Sequence, residues 1–378
     1  MKIVFLMSSF NMGGAEKHAL LLADYYKNHL NWETEVWAWY SKTNRVKEIC
    51  DSINIKTRLI PPFNRFRKNL HLIQINKYAK IFKSAKVDVL MSFNNKPNIL
   101  STAIWKKANI KLHVWAQQGI DIHTPVFKSK FEKTILKKNL TCVISNSKNG
   151  AEFLQNEHFI PNEIIHVIPN GISHPDLSLS QKWKKRLGLD LHNRKSFNAI
   201  IIANLTNLKD HITLIKAWKI VVDELNSNET KANLFLAGRI DNEGNKIFEL
   251  IQELGLVQNV FCLGQVKDIM GLTNEMDIAI LSSPSEGVPN SVIESMILAK
   301  PFVGTNIPGI REAVGKKNYK FLSEEKNFND LADKILLFAK DKDLSKKIGE
   351  RNRDYVKEKF SIQKLWENTH SIIEKKLS

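Results

Sequence analysis

SSPSEGVPNSVIESMILAKPFVGTNIPGIR, residues 282–311, places two carboxylates, Glu286 and Glu294, around a turn that opens a helix. Pro289, Asn290 and Ser291 are start signals, because Pro suits a first helical turn and Asn or Ser accepts a bond from an orphan backbone N–H. SVIESMILA therefore predicts a helix from about residue 290, with Glu286 before it and Glu294 about one turn inside. Free N–H groups and the positive end of the helix dipole then point at whatever lies beyond Gly287 and Val288, which is a ready phosphate site.

Working outward, apolar runs flank this helix on both sides: DIAILSS (277–283) before it and PFVGT (301–305) after it. NAIIIANL (198–205), ANLFLAG (232–238) and NVFCLG (259–264) precede them with helical stretches between, a pattern of parallel strands covered on both faces. The first half repeats the series: KIVFLM (2–7), ETEVWAWY (33–40), KTRLI (56–60), VDVLMSF (87–93), KLHVWA (111–116), TCVIS (141–145) and IHVIPN (165–170). PNGISHPDLSLSQKWK (169–184) separates the halves and has a linker's composition. The expectation is an α/β protein of two Rossmann-like, doubly wound parallel-sheet domains facing across a cleft. In such sheets ligands collect at the carboxyl ends of strands.

A phosphate site flanked by carboxylates suits a ligand that is anionic at one end and hydroxyl-rich at another, because carboxylates accept hydroxyl protons and repel phosphate. A nucleotide sugar has both parts. The stretch resembles the signature of the retaining nucleotide-sugar glycosyltransferases of the GT-B fold, family 4 (group 1) type, E-G-x-P-N-x-x-x-E followed by G-K-P. Here it reads E-G-V-P-N-S-V-I-E, then Ala299, Lys300 and Pro301. The resemblance implies GT-B domains at 1–172 (acceptor) and 173–360 (nucleotide sugar), hinged at I-P-N-G (168–171). The last helix, 361–378, is implied to cross back onto the first domain. It also implies that Glu286 holds sugar hydroxyls and Glu294 the ribose, with Gly287, Val288, Pro289, Asn290 and Ser291 around the donor.

Gly13 and Gly14 occupy the turn after the first strand, where glycine lets backbone approach a ligand, and a helix is predicted from Ala15 or Glu16. Gly13 to Glu16 match the family's G-G-A-E. Two helix starts facing each other across a cleft would hold a diphosphate without a metal. Lys209 follows the first strand of the second half and matches the lysine of G-R-L-x-x-x-K-G, whereas Ala203, Asn204 and Leu205 replace G-R-L and Asp210 the last Gly. Asn204 donates a hydrogen bond but brings no charge, and Arg239 is the candidate to compensate. His123 is the candidate for the histidine that this family places near the transferred sugar; Gln117 and Gln118 stand directly after the strand instead. Catalytic candidates are thus Glu286, Lys209 and His123, with no metal and no cofactor beyond a donor, a UDP-sugar in first place.

The chain has 378 residues and 56 Lys plus Arg against 39 Asp plus Glu. The excess sits in the first half, with 19 basic and 4 acidic residues in 51–150 against 31 and 27 in 176–378. A basic half implies an anionic partner: nucleic acid, a membrane surface or a phosphorylated acceptor. Phe63 to Lys86 mixes Lys and Arg with Phe, Leu and Ile as an amphipathic basic helix would on an anionic lipid surface. A nucleic-acid binder would need exposed aromatics, and Trp32, Trp37, Trp39, Trp105 and Trp115 fall in or beside strands instead. Cys50, Cys142 and Cys262 are too scattered for a disulfide framework or zinc site, and no apolar run reaches bilayer length. Asp341-Lys342-Asp343, a D-x-D, follows an apolar helix rather than a strand and is not read as a metal site. A nicotinamide enzyme is disfavoured because the glycine turn is not G-x-G-x-x-G and Trp39-Tyr40-Ser41 offers no ribose carboxylate.

The expected function is retaining, metal-independent transfer of a sugar from a nucleotide-diphosphate sugar to a hydroxyl of a glycan or lipid-linked acceptor, in surface polysaccharide or lipopolysaccharide assembly. The expected place is the cytoplasm, peripherally on the inner face of the cell membrane, with no nucleic acid partner. The alternative is a non-catalytic binder of nucleic acid or anionic surfaces.

Overall fold

The computed structural model describes residues 1–41, 43–63, 71–118, 134, 138–173, 183 and 196–378. They form two compact units, Met1–Gly171 with Ile362–Ser378, and Ile172–Ser361.

Unit 1 holds strands β1 (Lys2–Leu6), β2 (Glu33–Ala38), β3 (Lys56–Leu59), β4 (Val89–Phe93), β5 (Leu112–Gln117), β6 (Val143–Ser145) and β7 (Ile165–Val167). Its described helices are α1 (Gly14–Asp24), α2 (Arg45–Ser52), α3 (His71–Ser84), α4 (Asn95–Ile104), α5 (Lys148–His158) and, from the chain end, Ile362–Leu377. The strands pair in parallel in the order β3-β2-β1-β4-β5-β6-β7. Alternate side chains of a strand leave opposite faces. Ile3 and Phe5 accordingly join one core with Leu20, Leu22 and Leu365, while Val4 and Leu6 join another with Trp37, Tyr78 and Phe82. Burial of both faces is why these strands read as unbroken apolar runs. The terminal helix Ile362–Leu377 docks by stacking Trp366 on Tyr25 at 5.0 Å and donating its indole N–H to the Leu21 carbonyl at 3.0 Å.

Unit 2 holds β8 (Ser196–Ile202), β9 (Lys231–Ala237), β10 (Val260–Gly264), β11 (Ile278–Leu281), β12 (Phe302–Thr305) and β13 (Leu322–Ser323), parallel in the order β10-β9-β8-β11-β12-β13. Its described α-helices are α6 (His211–Asn226), α7 (Gly244–Glu253), α8 (Ile269–Asn274), α9 (Asn290–Ile297), α10 (Pro308–Val314), α11 (Phe328–Lys340) and α12 (Lys342–Lys359). Each strand expected from the sequence is present. The short β13 was not expected, because two residues carry no readable period. In each sheet the order reverses once, between β1 and β4 and between β8 and β11, and such reversal points are where the crevice for a ligand opens.

The basic segment differs from its expectation at its start: Phe63 is non-helical and buried, 64–70 lie outside the described residues, and the helix is described from residue 71. Asp341 Oδ1 accepts the Leu344 N–H at 2.8 Å, so this carboxylate caps α12. Among the described residues no His, Cys, Asp and Glu cluster suits a metal, and no helix is long and apolar enough to cross a membrane. Trp37, Trp39 and Trp115 are buried in the sheet cores.

Burial depresses three histidines, His18 and His113 in unit 1 to about 4 and about 3, and His211 in unit 2 to about 4. An unfolded chain protonates its histidines near pH 6.5 and the folded one does not until far lower. Stability is therefore complete above about pH 6.5 and falls as pH drops toward 4, by at most about 1.4 kcal/mol per histidine per pH unit. Urea midpoints are expected to be lower at pH 5 than at pH 7; a flat profile would refute the neutral burial.

Candidate functional site

The site in unit 2 is built on the β8/β11 reversal. After β8, Asn207–Lys209 makes one 3-10 turn and Asp210 adopts φ +45°, ψ +52°, the left-handed conformation that glycine takes freely and Asp tolerates. Asp210 adds what glycine cannot: its carboxylate caps α6, accepting the Thr213 N–H at 3.2 Å and the Thr213 hydroxyl at 2.7 Å. From the end of β11, the Ser282 hydroxyl lies 3.0 Å from the Lys209 carbonyl and 2.9 Å from the Asp210 carbonyl, holding this turn against the next strand.

So held, Lys209 Nζ meets Glu286 Oε1 in a direct ion pair across the reversal point. The side chains are 29% and 12% exposed, so the carboxylate is sheltered and its counter-charge is the more accessible partner. Behind Glu286 the backbone is pressed by α10. A Cβ on Gly309 would lie 1.8 Å from the Gly287 carbonyl oxygen and 2.3 Å from that of Glu286, so only glycine fits.

Helix α9 begins at Asn290 as expected, but Pro289 is its N-cap rather than a first-turn residue, and its ring offers no capping group. Its start lies next in the chain to Glu286, Gly287 and Val288, of which the last two are buried. Ser291 is half-buried, and Glu294, inside α9, is buried at 9% exposure.

Asn204 and Arg239 are brought together by backbone: Asn204 Oδ1 accepts the Arg239 N–H at 3.0 Å, and the Arg239 carbonyl accepts the Leu205 N–H at 2.9 Å. The Arg239 guanidinium is exposed and lies 3.6 Å from Asp241. A Cβ on Gly238 would sit 2.0 Å from the Ala203 carbonyl, so β8 and β9 end in close contact.

In unit 1, α1 begins at Gly14, one residue before the earlier of the expected starts, with Gly13 as N-cap. The mouth of this helix is not open as the sequence suggested. Glu16, 8% exposed, folds back so that a Cβ on Gly13 would lie 2.7 Å from its Oε2, and its Oε1 accepts from Asn94 Nδ2 at 3.3 Å. Burial raises the Glu16 carboxyl, opposed by its own backbone N–H and by Asn94. Asn170 of the I-P-N-G turn is buried, 2.7 Å from His18 Nδ1. Gln117 is buried with its Oε1 accepting from the Trp115 indole at 3.0 Å, and His123 lies outside the described residues.

Sequence reasoning missed Ser282, Asp210 and Gly309. Asp210 was noticed only as a departure from glycine; the left-handed turn that glycine implies was the available signal. Gly309 follows Pro308 at a helix start, and nothing local reveals that a second backbone lies against it.

Two family models match the chain: "Glycosyltransferase Family 4" over residues 12–174 and "Glycosyl transferases group 1" over residues 187–355. The chain is 32% identical over 161 residues to the capsular polysaccharide biosynthesis glycosyltransferase CapM of Staphylococcus aureus, covering 42% of this chain and 41% of that one. The chain thus spans about two fifths of the length of that relative. It is 26% identical over 305 residues to N,N'-diacetylbacillosaminyl-diphospho-undecaprenol alpha-1,3-N-acetylgalactosaminyltransferase of Campylobacter jejuni, covering 76% of this chain and 77% of the other. Among solved structures, Anabaena HepE in complex with UDP-glucose superposes with a TM-score of 0.83 at 20% identity, covering 99% of this chain and 100% of that chain. A Rickettsia africae glycosyltransferase gives 0.82 at 21% identity, covering 100% and 98%. At these identities the structures establish the fold, GT-B.

Proposed function

Because the chain belongs to the group 1, family 4-type glycosyltransferases, we propose that it transfers a sugar from a UDP-sugar to a hydroxyl of a glycan or lipid-linked acceptor, with retention and without a metal. The observation that carries this reading is the Lys209–Glu286 ion pair at the β8/β11 reversal, next in the chain to the start of α9. What such a reaction must stabilise is negative charge growing on the leaving diphosphate. A cation fixed by the Ser282 contacts and the positive end of the α9 dipole supply that electrostatically, with no protein nucleophile. When phosphate takes Lys209, Glu286 is released to accept from sugar hydroxyls, and Glu294 serves the ribose. Asn204 stands where the family has arginine and offers a neutral donor. The acceptor proton passes to a leaving-group oxygen. His123 is proposed to face the transferred sugar, and Gly13 and Gly14 to let backbone approach substrate.

Relatives named for undecaprenol-diphosphate-linked sugars, in Campylobacter jejuni and Escherichia coli, support a lipid-linked acceptor here. So does the exposed face of α3, where Leu72 is 70% and Ile73 63% exposed and Lys77, Lys80 and Lys83 are exposed too. That face is proposed to rest on the anionic inner surface of the cell membrane. Salt-sensitive co-sedimentation with anionic vesicles checks it, and failure to co-sediment at low salt would count against it.

Calorimetry with UDP, GDP and their sugars, followed by NMR of the product anomer in EDTA, tests the reaction. Glu294→Ala is expected to weaken nucleotide binding, and Glu286→Ala chiefly to lower turnover. An inverted anomer, a strict metal requirement, or unchanged kinetics in both variants would refute the assignment.

A further inference from the structure

Unit 1 holds three fully buried polar side chains, Ser92, Asn98 and His113, to which the proposed chemistry gives no part. We propose that Asn98 is a positioning residue for the reaction: through its bonds to Ser92 and to the Ala116 carbonyl it fixes the carboxyl ends of β4 and β5, a reading that rests on the sugar transfer proposed above.

The three side chains form one chain of bonds. Asn98 Nδ2 donates to the Ala116 carbonyl at 3.1 Å, the Ser92 hydroxyl donates to Asn98 Oδ1 at 2.7 Å, and His113 Nε2 lies 2.9 Å from Ser92 Oγ. A carbonyl only accepts, and that fixes the direction of the whole chain. The Asn98 amide nitrogen faces Ala116, so Oδ1 faces Ser92 and engages its one hydroxyl proton. His113 must then carry its own proton on Nε2. Burial keeps this ring neutral, and Nδ1 is a bare acceptor with no partner among the described residues. The backbone of Asn98 is engaged as well: its N–H donates to the Asn94 carbonyl at 3.1 Å, and its carbonyl accepts from the Thr102 hydroxyl at 2.8 Å.

Where the chain ends is what makes it more than filling. Phe93, the last residue of β4, pairs with Ala116, so Asn98 grips β5 at the step where its neighbouring strand stops. The direction in which Gln117 leaves the sheet is set there. On the β4 side, Asn94 stands at φ +71°, ψ +161°, a region open to glycine and strained for other residues. Such strain persists only where the surroundings over-determine the backbone. Asn98 does this, holding the Asn94 carbonyl with its N–H while its side chain ties the same turn to β5. Packing alone does not ask for polar groups at this place. Ile99, Leu100 and Trp115 fill the neighbouring space with apolar surface, and apolar side chains need no partners. Ligands of open α/β sheets collect outside these strand ends, so a shift there displaces whatever meets the substrate.

The test compares the full chain with Asn98→Leu and Ser92→Ala. UDP-glucose, UDP-galactose and UDP-N-acetylglucosamine serve as donors, with the octyl α-glycosides of the same sugars as acceptors. Turnover is read well below the melting transition, beside UDP affinity and melting temperature. Asn98→Leu is expected to lower turnover about 10²-fold, the effect of a displacement near 1 Å at reacting groups. Ser92→Ala, which leaves Asn98 in place but frees its Oδ1, is expected to lower it about tenfold. UDP affinity, a property of unit 2, stays at the wild-type value in both. In the wild type, 15N NMR of the histidine rings is expected to show His113 protonated on Nε2. The proposal is overturned if the variants turn over as wild type does, if turnover falls only in step with the folded fraction, or if His113 carries its proton on Nδ1. Where Asn98→Leu does not fold, Ser92→Ala and the His113 tautomer decide. A wild type that releases no UDP with any of these pairs sinks the transfer reading and this proposal with it, whereas an active wild type with equally active variants sinks this proposal alone.

Discussion

Lys209→Ala is expected to lower turnover about 10²- to 10³-fold, the range seen when one preorganised charge-stabilising donor is removed. Two losses combine. The leaving diphosphate loses its fixed cation, and Glu286, only 12% exposed, is left as a sheltered carboxylate with no counter-charge where phosphate must approach. Donor affinity falls with turnover because the repulsion acts in the ground state as well. Lys209→Arg is expected to recover only part, since a planar guanidinium does not replace a compact ammonium at the end of a fixed turn. Steady-state kinetics with varied donor checks this, and turnover within threefold of wild type for Lys209→Ala would remove the residue from the mechanism.

Gly309→Ala is expected to damage both stability and activity, although it adds one methyl group far along the chain from either glutamate. Its Cβ would overlap the carbonyl oxygens of Gly287 at 1.8 Å and Glu286 at 2.3 Å, and those are backbone atoms that cannot rotate aside. Overpacking of this kind costs about 1–3 kcal/mol, so the melting temperature of unit 2 should fall by several degrees. The loop that moves carries Glu286, and a displacement near 1 Å at a catalytic group costs about 10²-fold. The signature is a fall in turnover larger than the stability loss explains, measured well below the melting transition. A variant with normal kinetics and lowered melting temperature would show that the loop yields without moving Glu286.

The parallel sheets were legible because burial on both faces leaves an unbroken apolar run, and KIVFLM, VDVLMSF and DIAILSS all became strands. β13 was not, since two residues cannot display a period. The start of α9 could be read from Pro289 and Asn290 to within a residue, because capping is local chemistry. The open mouth expected for α1 was not there: Gly13 and Gly14 indicated a turn, but the space they leave is filled by Glu16, a side chain the sequence showed only as one letter of a motif.

By itself the sequence determined the two-fold series of strands and helices, the carboxylates around the start of α9, and the lysine that follows β8. These rest on periodicity and capping, which act over a few residues. Only the tertiary structure decided that Lys209 and Glu286, 77 positions apart, form one ion pair, that Ser282 braces the turn between them, and that Gly309 sits against the loop. Strand order fixes those neighbours: β8 pairs with β11 across the sheet, and no local pattern along the chain records which strand a distant one will lie beside.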